Sequence, residues 1–299
     1  MGLSISHMSQ GRNLLPLYGY KGGRLMKYIP LINDEFKEKI LDFLYEDELF
    51  NVFLIHFIEN QIEDIGKLYV EESNGRIDNI LHMKFDGNSY FTNFFTKNEK
   101  GYAEIAKQLQ ILNYNRVLLA GKRKEVSKVL SCLGKEVKSA PDIYYKFDIN
   151  RHCNQTIHPD ITYRMVTCRQ EDMSKISEYM ISFFEPANEQ EIADITDEKK
   201  LIEDIKVGVY FIEYKGQPIG MARYSGKTKN FIDITTVYID PHYRGKGFGK
   251  SLMDYMIRNA ISENKIPVTQ TGSTNFIARK TYESLGFIKQ DEYSFEFIS

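Results

Sequence analysis

Between residues 230 and 261 the chain passes from a β-like run into a helix through a glycine-rich corner. This passage restricts its fold more than any other stretch. Asn230 to Ile239 reads as a strand, and Asp240-Pro241 ends it. Gly245, Gly247 and Gly249 follow at alternate positions. Then Leu252, Met253, Met256, Ile257, Ala260 and Ile261 recur at three-to-four spacing, which marks a helix with one apolar face. Glycine permits positive φ and lets the backbone come close to a ligand. The first amides of a helix lack intrahelical acceptors and sit at the positive end of its dipole. Such a corner suits a phosphate or pyrophosphate, with Arg244, Lys246 and Lys250 adding charge. Spacing excludes two familiar nucleotide loops. A Walker loop needs four residues between its glycines and Lys-Ser/Thr behind them, and a dinucleotide fingerprint sets its third glycine three residues after the second.

The elements around this corner follow a rhythm that occurs twice. In the second half, Ile161 to Thr167 is β-like, residues 169–206 are helical in character with a break near Pro186, and Val209 to Tyr214 and Ile219 to Tyr224 form a hairpin about Lys215-Gly216-Gln217-Pro218. After the corner helix come a short strand at Val268 to Thr271, a helix from Asn275 to Leu285 stopped by Gly286, and an alternating strand from Ile288 to Ile298. In the first half, residues 34–60 are helical in period. Leu68 to Glu72, Ile80 to Phe85 and Ser89 to Phe95 suggest a meander, followed by a helical stripe at Tyr102, Ile105, Ala106, Leu109 and Leu112. Arg116 to Ala120, Lys124 to Leu133 and Ile143 to Phe147 then read as strand, helix and strand. With 299 residues, at roughly 150 per domain, two domains are expected. The boundaries read as a disordered leader or extension over 1–26, a first domain over 27–149, a linker over 150–160 and a second domain over 161–299. The fold class is α/β, an α+β arrangement with a mixed sheet.

Several function classes are disfavoured. Lys+Arg 39 against Asp+Glu 41 leaves a formal charge of -2, so no nucleic-acid partner is expected. No apolar run reaches the roughly 18 residues of a membrane helix, and no secretory h-region is present, so no membrane partner is expected either. Cys132, Cys153 and Cys168 are widely spaced and odd in number, which fits a reducing, cytoplasmic setting better than a disulfide framework. His152, Cys153 and His158 lie close together without a second ligand pair, so no metal is expected.

Arg244-x-x-Gly247-x-Gly249, led by Val237-x-Ile239-x-Pro241, resembles the acyl-CoA-binding motif of the GNAT N-acetyltransferase superfamily. Asn275-x-x-Ala278-x-x-x-Tyr282-x-x-x-Gly286-Phe287 is similar to the family's second signature, and the hairpin about Lys215-Gly216-Gln217-Pro218 looks like its second and third strands. The resemblance covers about residues 159–299. The first half resembles the family in element order only, so the expected architecture is two GNAT-like domains in tandem.

The resemblance implies acetyl-CoA, or another acyl-CoA, as co-substrate and a primary amine as acceptor, a small molecule or a peptide. It further implies a bulged strand before the loop, with main-chain groups of Val237 and Ile239 on the pantetheine arm and the acyl carbonyl. Arg244, Gly245, Lys246, Gly247, Phe248, Gly249 and Lys250 would hold the pyrophosphate, and Asn275 would touch the pantetheine. Tyr282 is the implied general acid for the departing sulfur, and Asp233 the implied base. Alternation places Asp233, Thr235 and Val237 on one face of their strand, unless a bulge changes the register. His242 is a rival base by chemistry alone. Phe184, Glu185 and Glu189 fall where the family lines its acceptor pocket, and the carboxylates would suit a cationic amine.

The first half lacks this equipment. Asn93 to Gly101 holds one glycine and no Arg-x-x-Gly-x-Gly, and Lys124 to Leu133 has no tyrosine. The expected function is N-acyl transfer by direct attack in a ternary complex, with only the second domain active. Two other functions remain open at this point: an aminoacyl-tRNA-dependent transferase, and a non-catalytic acyl-CoA sensor.

Overall fold

The computed structural model describes residues 25–60, 66–152 and 159–298. Most of the expected leader, together with Cys153 and His158, lies outside them. The first half runs β1 (Lys27–Ile29), α1 (Asp34–Leu44), α2 (Val52–Glu59), β2 (Lys67–Ser73), β3 (Arg76–Phe85), β4 (Tyr90–Thr96), α3 (Glu99–Leu112), β5 (Val117–Lys122), α4 (Arg123–Cys132) and β6 (Asp142–Phe147). The second runs β7 (Ile161–Met165), α5 (Gln170–Phe184), α6 (Glu189–Ile195), α7 (Glu198–Gly208), β8 (Val209–Tyr214), β9 (Gln217–Lys227), β10 (Phe231–Ile239), α8 (Phe248–Ser262), β11 (Ile266–Gly272), α9 (Phe276–Leu285) and β12 (Phe287–Phe297).

Among the described residues, twelve strands join one sheet, in the order β1-β2-β3-β4-β5-β12-β6-β11-β10-β9-β8-β7. The order is palindromic: each strand mirrors the one six places along the chain. Neighbours are antiparallel except β4–β5 and β10–β11, which are parallel. The halves also exchange their last strands. β6 pairs with β11 of the second half, while β12 pairs with β5 of the first, and β6 and β12 pair with each other at the centre.

Helices cover both faces. On one, Leu252, Met253, Met256, Ile257 and Ala260 of α8 are fully buried against Tyr224, Ile232 and Ile234. Burying each large side chain there stabilises by roughly 1.5–3 kcal/mol. Tyr145 and Phe147 of β6 sit in that same cluster, so the first half supplies part of the second half's core. On the other face α5 and α7 cover β8 to β10, and α1 and α2 cover β2 to β4. The α2 helix also crosses to β9, with Val52 and His56 against Gly226. The buried Glu48 fastens this crossing, accepting from the Thr228 hydroxyl and the Asn230 amide at 2.7 Å each and from Asn230 Nδ2 at 2.6 Å. A carboxylate with three donors retains hydrogen-bond partners after leaving water.

Candidate active site

The site is a fork in the sheet. β10 and β11 pair in parallel from Phe231↔Ile266 to Asp233↔Val268 and no further. Against β9, Thr235 faces Arg223, but Tyr238 faces Met221, so β10 carries one residue too many. The excess centres on Thr236, whose φ of 51° is left-handed. A β-branched residue adopts that conformation at a cost of about 1–3 kcal/mol. The bulge reverses the side-chain alternation. Ile232 and Ile234 face α8, Tyr238 joins the cluster under α5, and Val237 and Ile239 return to the α8 side. Simple alternation through Val237 is thereby corrected: Val237 and Asp233 lie on opposite faces, because the extra residue shifts the pleat by one.

At the vertex Thr269 donates its hydroxyl to the Ile234 carbonyl at 2.8 Å. The phenol of Tyr282 of α9 lies beside Thr269. Its ring is buried edge-on to Tyr145, with centroids 5.9 Å apart, and beside Phe287. Burial pushes the phenol up to about 12, with Thr269 pulling the other way, so the hydroxyl keeps its proton near neutrality. Asp233 approaches the fork from the opposite face and is 4% exposed. Burial pushes its carboxyl up to about 7, against the opposing pull of the Ser225 hydroxyl and the Arg223 charge. The carboxylate can thus exchange a proton near neutral pH, as a general base must. Arg223 is itself held by Asp204 at 2.5 Å and by Thr236 Oγ1 at 2.9 Å.

The glycine corner is open. Gly245 and Gly247 have φ of 76° and 81°, and a Cβ on either would meet no atom within 4 Å. Their glycines are required by backbone conformation, not by crowding. Gly247 is the N-cap of α8, and no side chain among the described residues caps that end. The Phe248 side chain is buried in the core and anchors the first turn. Gly249 lacks the positive φ, and a Cβ there would lie 3.6 Å from Ile239. Arg244 turns back on its own strand: Nε donates to the Ile239 carbonyl at 2.8 Å, and the guanidinium lies over the Tyr238 ring. Lys246 is exposed over Tyr243, and Lys250 is half-buried.

The remaining candidates are more dispersed. Asn275 is exposed and caps α9, its Oδ1 accepting from the Ala278 amide at 3.1 Å. His242 points to solvent beside Asp240. Phe184, Glu185 and Glu189 sit exposed at the α5–α6 corner, where Phe184 packs edge-on against Phe183. Cys132 and Cys168 are free and exposed. His152 Nε2 binds Asp254 Oδ1 at 2.8 Å, and no group of metal ligands occurs among the described residues. Sequence reading did not single out Thr269, Ser225 or Arg223, since a lone hydroxyl or arginine in a strand carries no spacing signal.

The first half shows what the fork becomes without these features. Pairing of β3 with β4 runs without a slip from Phe85↔Tyr90 to Asn79↔Thr96. The helix after β4 is capped by its own Asn98, which accepts from Gly101 N at 2.9 Å. The palindrome sets Asn93 in the place of Asp233, Lys122 in that of Gln270 and Tyr293 in that of Tyr144. Lys122 pairs there with Asp47 at 2.5 Å and Glu125 at 2.9 Å, and the enclosed space is about 30 Å³, room for about one water.

Residues 174–287 match the family model described as Acetyltransferase (GNAT) family. Over that stretch the second half is similar to the GNAT family. The whole chain is similar in fold to solved GNAT proteins. A tandem GNAT protein from the clavulanic acid biosynthesis pathway aligns over 92% of this chain and 99% of its own, with TM-score 0.64 and 14% identity. A GNAT-family acetyltransferase from Colwellia psychrerythraea aligns over 91% and 99%, with TM-score 0.62 and 14% identity. At such identities the likeness shows the fold alone, and that fold is a tandem GNAT architecture. Among curated proteins, the N-acetylaspartate synthetase of Danio rerio is 35% identical over 80 residues, which is 26% of this chain. The chain spans 28% of that relative's length.

Proposed function

We propose that the protein is an N-acetyltransferase that binds one acyl-CoA in the β10–β11 fork and passes the acyl group to a primary amine by direct attack. The observation carrying this reading is the asymmetry between the two forks. Among the described residues, only the second has a bulged strand and a helix end free of side-chain caps behind left-handed glycines, and it sets Asp233 and Tyr282 at the fork. The amides from Gly245 to Lys250, with Arg244 and Lys246, would take the pyrophosphate. Main-chain groups of Val237 and Ile239, with Asn275, would take the pantetheine arm. Asp233 would accept the amine's proton, and Tyr282 would protonate the leaving thiolate. The domain division follows the same reading, with 27–149 as a domain that has lost cofactor binding and 161–299 as the catalytic one.

The acceptor is a small-molecule or peptide amine. The name of the Danio rerio relative makes an amino-acid amine the first class to try. The test is thiol release from acetyl-CoA across amino acids, polyamines, aminoglycosides and peptide N-termini, beside calorimetric titration with CoA. Turnover with at least one amine and a binding stoichiometry near one per chain are expected. Two equivalents of CoA per chain would contradict the asymmetry, and binding without thiol release from any amine would favour a sensor.

A further inference from the structure

Asp233 is nearly sealed from solvent, yet a base that takes a proton at every turnover must also hand it on. The outward connection lies on β9. Asp233 faces Gly226, but the next residue, Ile234, faces Tyr224, so Ser225 is the extra residue of a second bulge. Tyr224 turns into the α8 face, where its hydroxyl donates to the Met256 carbonyl at 2.7 Å. Ser225 turns the other way and donates its hydroxyl to Asp233 Oδ2. It is half-buried, with part of its surface in solvent, unlike the carboxyl it touches. The other groups facing Asp233 are committed elsewhere or keep their protons. Arg223 of β9 is paired with Asp204 of α7. Tyr144 of β6 donates to the Leu49 carbonyl at 3.0 Å. Burial holds Tyr293 of β12 and Tyr282 of α9 in the neutral form. His56 of α2 turns its Nδ1 to the Lys227 carbonyl and Asn60.

We propose that Ser225 is the proton relay and positioning residue of Asp233. A hydroxyl can accept and donate at once. When Asp233 holds the acceptor's proton, Ser225 Oγ takes it while the original Ser225 hydroxyl proton passes to water. For this the hydroxyl first turns its own proton from Asp233 Oδ2 towards water, and the proton it receives then lies towards Asp233 and restores the bond to the carboxylate. The net change is one proton moved from the amine to solvent, with both side chains returned to their starting state. This rests on the reading of Asp233 as the base.

The test uses the full chain and the amine that releases thiol fastest from acetyl-CoA. Ser225→Ala should lower kcat at pH 7 on the order of 10-fold and leave the Kd for CoA unchanged. It should also move the acid limb of the pH profile upward, because the lost hydrogen bond favours the ionised carboxyl. Added imidazole should restore part of the rate, and Ser225→Thr most of it. Asp233→Asn separates the two readings. If Asp233→Asn is inactive while Ser225→Ala keeps its rate and pH profile, the relay is wrong and the base stands. A fully active Asp233→Asn, or CoA binding without thiol release from any amine, overturns both.

Discussion

Gly247→Ala is the sharpest probe of the glycine corner, because the structure separates strain from space there. A Cβ at this position meets nothing within 4 Å, yet φ is 81°. The substitution therefore introduces no clash and only the penalty of a left-handed alanine, roughly 1–2 kcal/mol. If the loop keeps its shape, that sum is lost from folding stability. If the loop relaxes, the helix amides turn away and the sum is lost from binding instead. In the second case CoA affinity falls by about 5- to 30-fold, since 1.4 kcal/mol is tenfold. Gly249→Ala is the control: its φ is unstrained and its Cβ would make an ordinary contact with Ile239. Calorimetric titration with CoA and chemical denaturation, run on both variants, measure the two quantities. Gly247→Ala should show a combined loss of about 1–2 kcal/mol, and Gly249→Ala much less. Equal losses in the two, or none in Gly247→Ala, would refute the account of why these glycines are there.

Tyr282→Phe should lower turnover by roughly 10- to 100-fold with little change in CoA affinity; unaltered kcat from pH 6 to 9 removes it as the acid. Because its phenol is held near 12, wild-type activity should show no alkaline loss from this group around neutrality. The carboxyl of Asp233 is raised in the folded state, so its contribution to stability is greatest at acid pH and is lost as pH climbs through about 7. Asp233→Asn should accordingly stabilise the protein at pH 8 by roughly 2–4 kcal/mol and by much less at pH 4, as read from urea midpoints. A fragment of residues 159–299 lacks β6 and should show no fixed near-UV dichroism alone, but should recover it when co-refolded with residues 25–152.

Much of this architecture is legible in the letters. The stripe from Leu252 to Ile261 marks α8 because helical burial repeats at three-to-four spacing, and the strand–glycine–helix passage announces the corner at Gly247 and the helix start behind it. Gly286 ends α9 where a C-terminal glycine is expected. What escaped depends on non-local pairing. Nothing in Asp142 to Phe147 says that it pairs with β11 and not β5, since a strand's alternation records which face is buried and not which neighbour it meets. The bulge at Thr236 runs against local preference, as threonine disfavours left-handed backbone, and that single extra residue carried Val237 to the face opposite Asp233. Ser225 was invisible for the same reason: its role comes from a slip in register.

The exchange of last strands sets a timetable for the nascent chain. The first half cannot finish its sheet when its own residues leave the ribosome, because the strand that belongs beside Val117–Lys122 is Phe287–Phe297, translated after every other described element. Until it arrives, β5 presents an open edge and β6 waits for partners on both sides, the condition in which strands recruit the wrong neighbours. Such distant pairing implies slow, late-committing folding, and a protease or chaperone would meet the half-made protein for much of its synthesis.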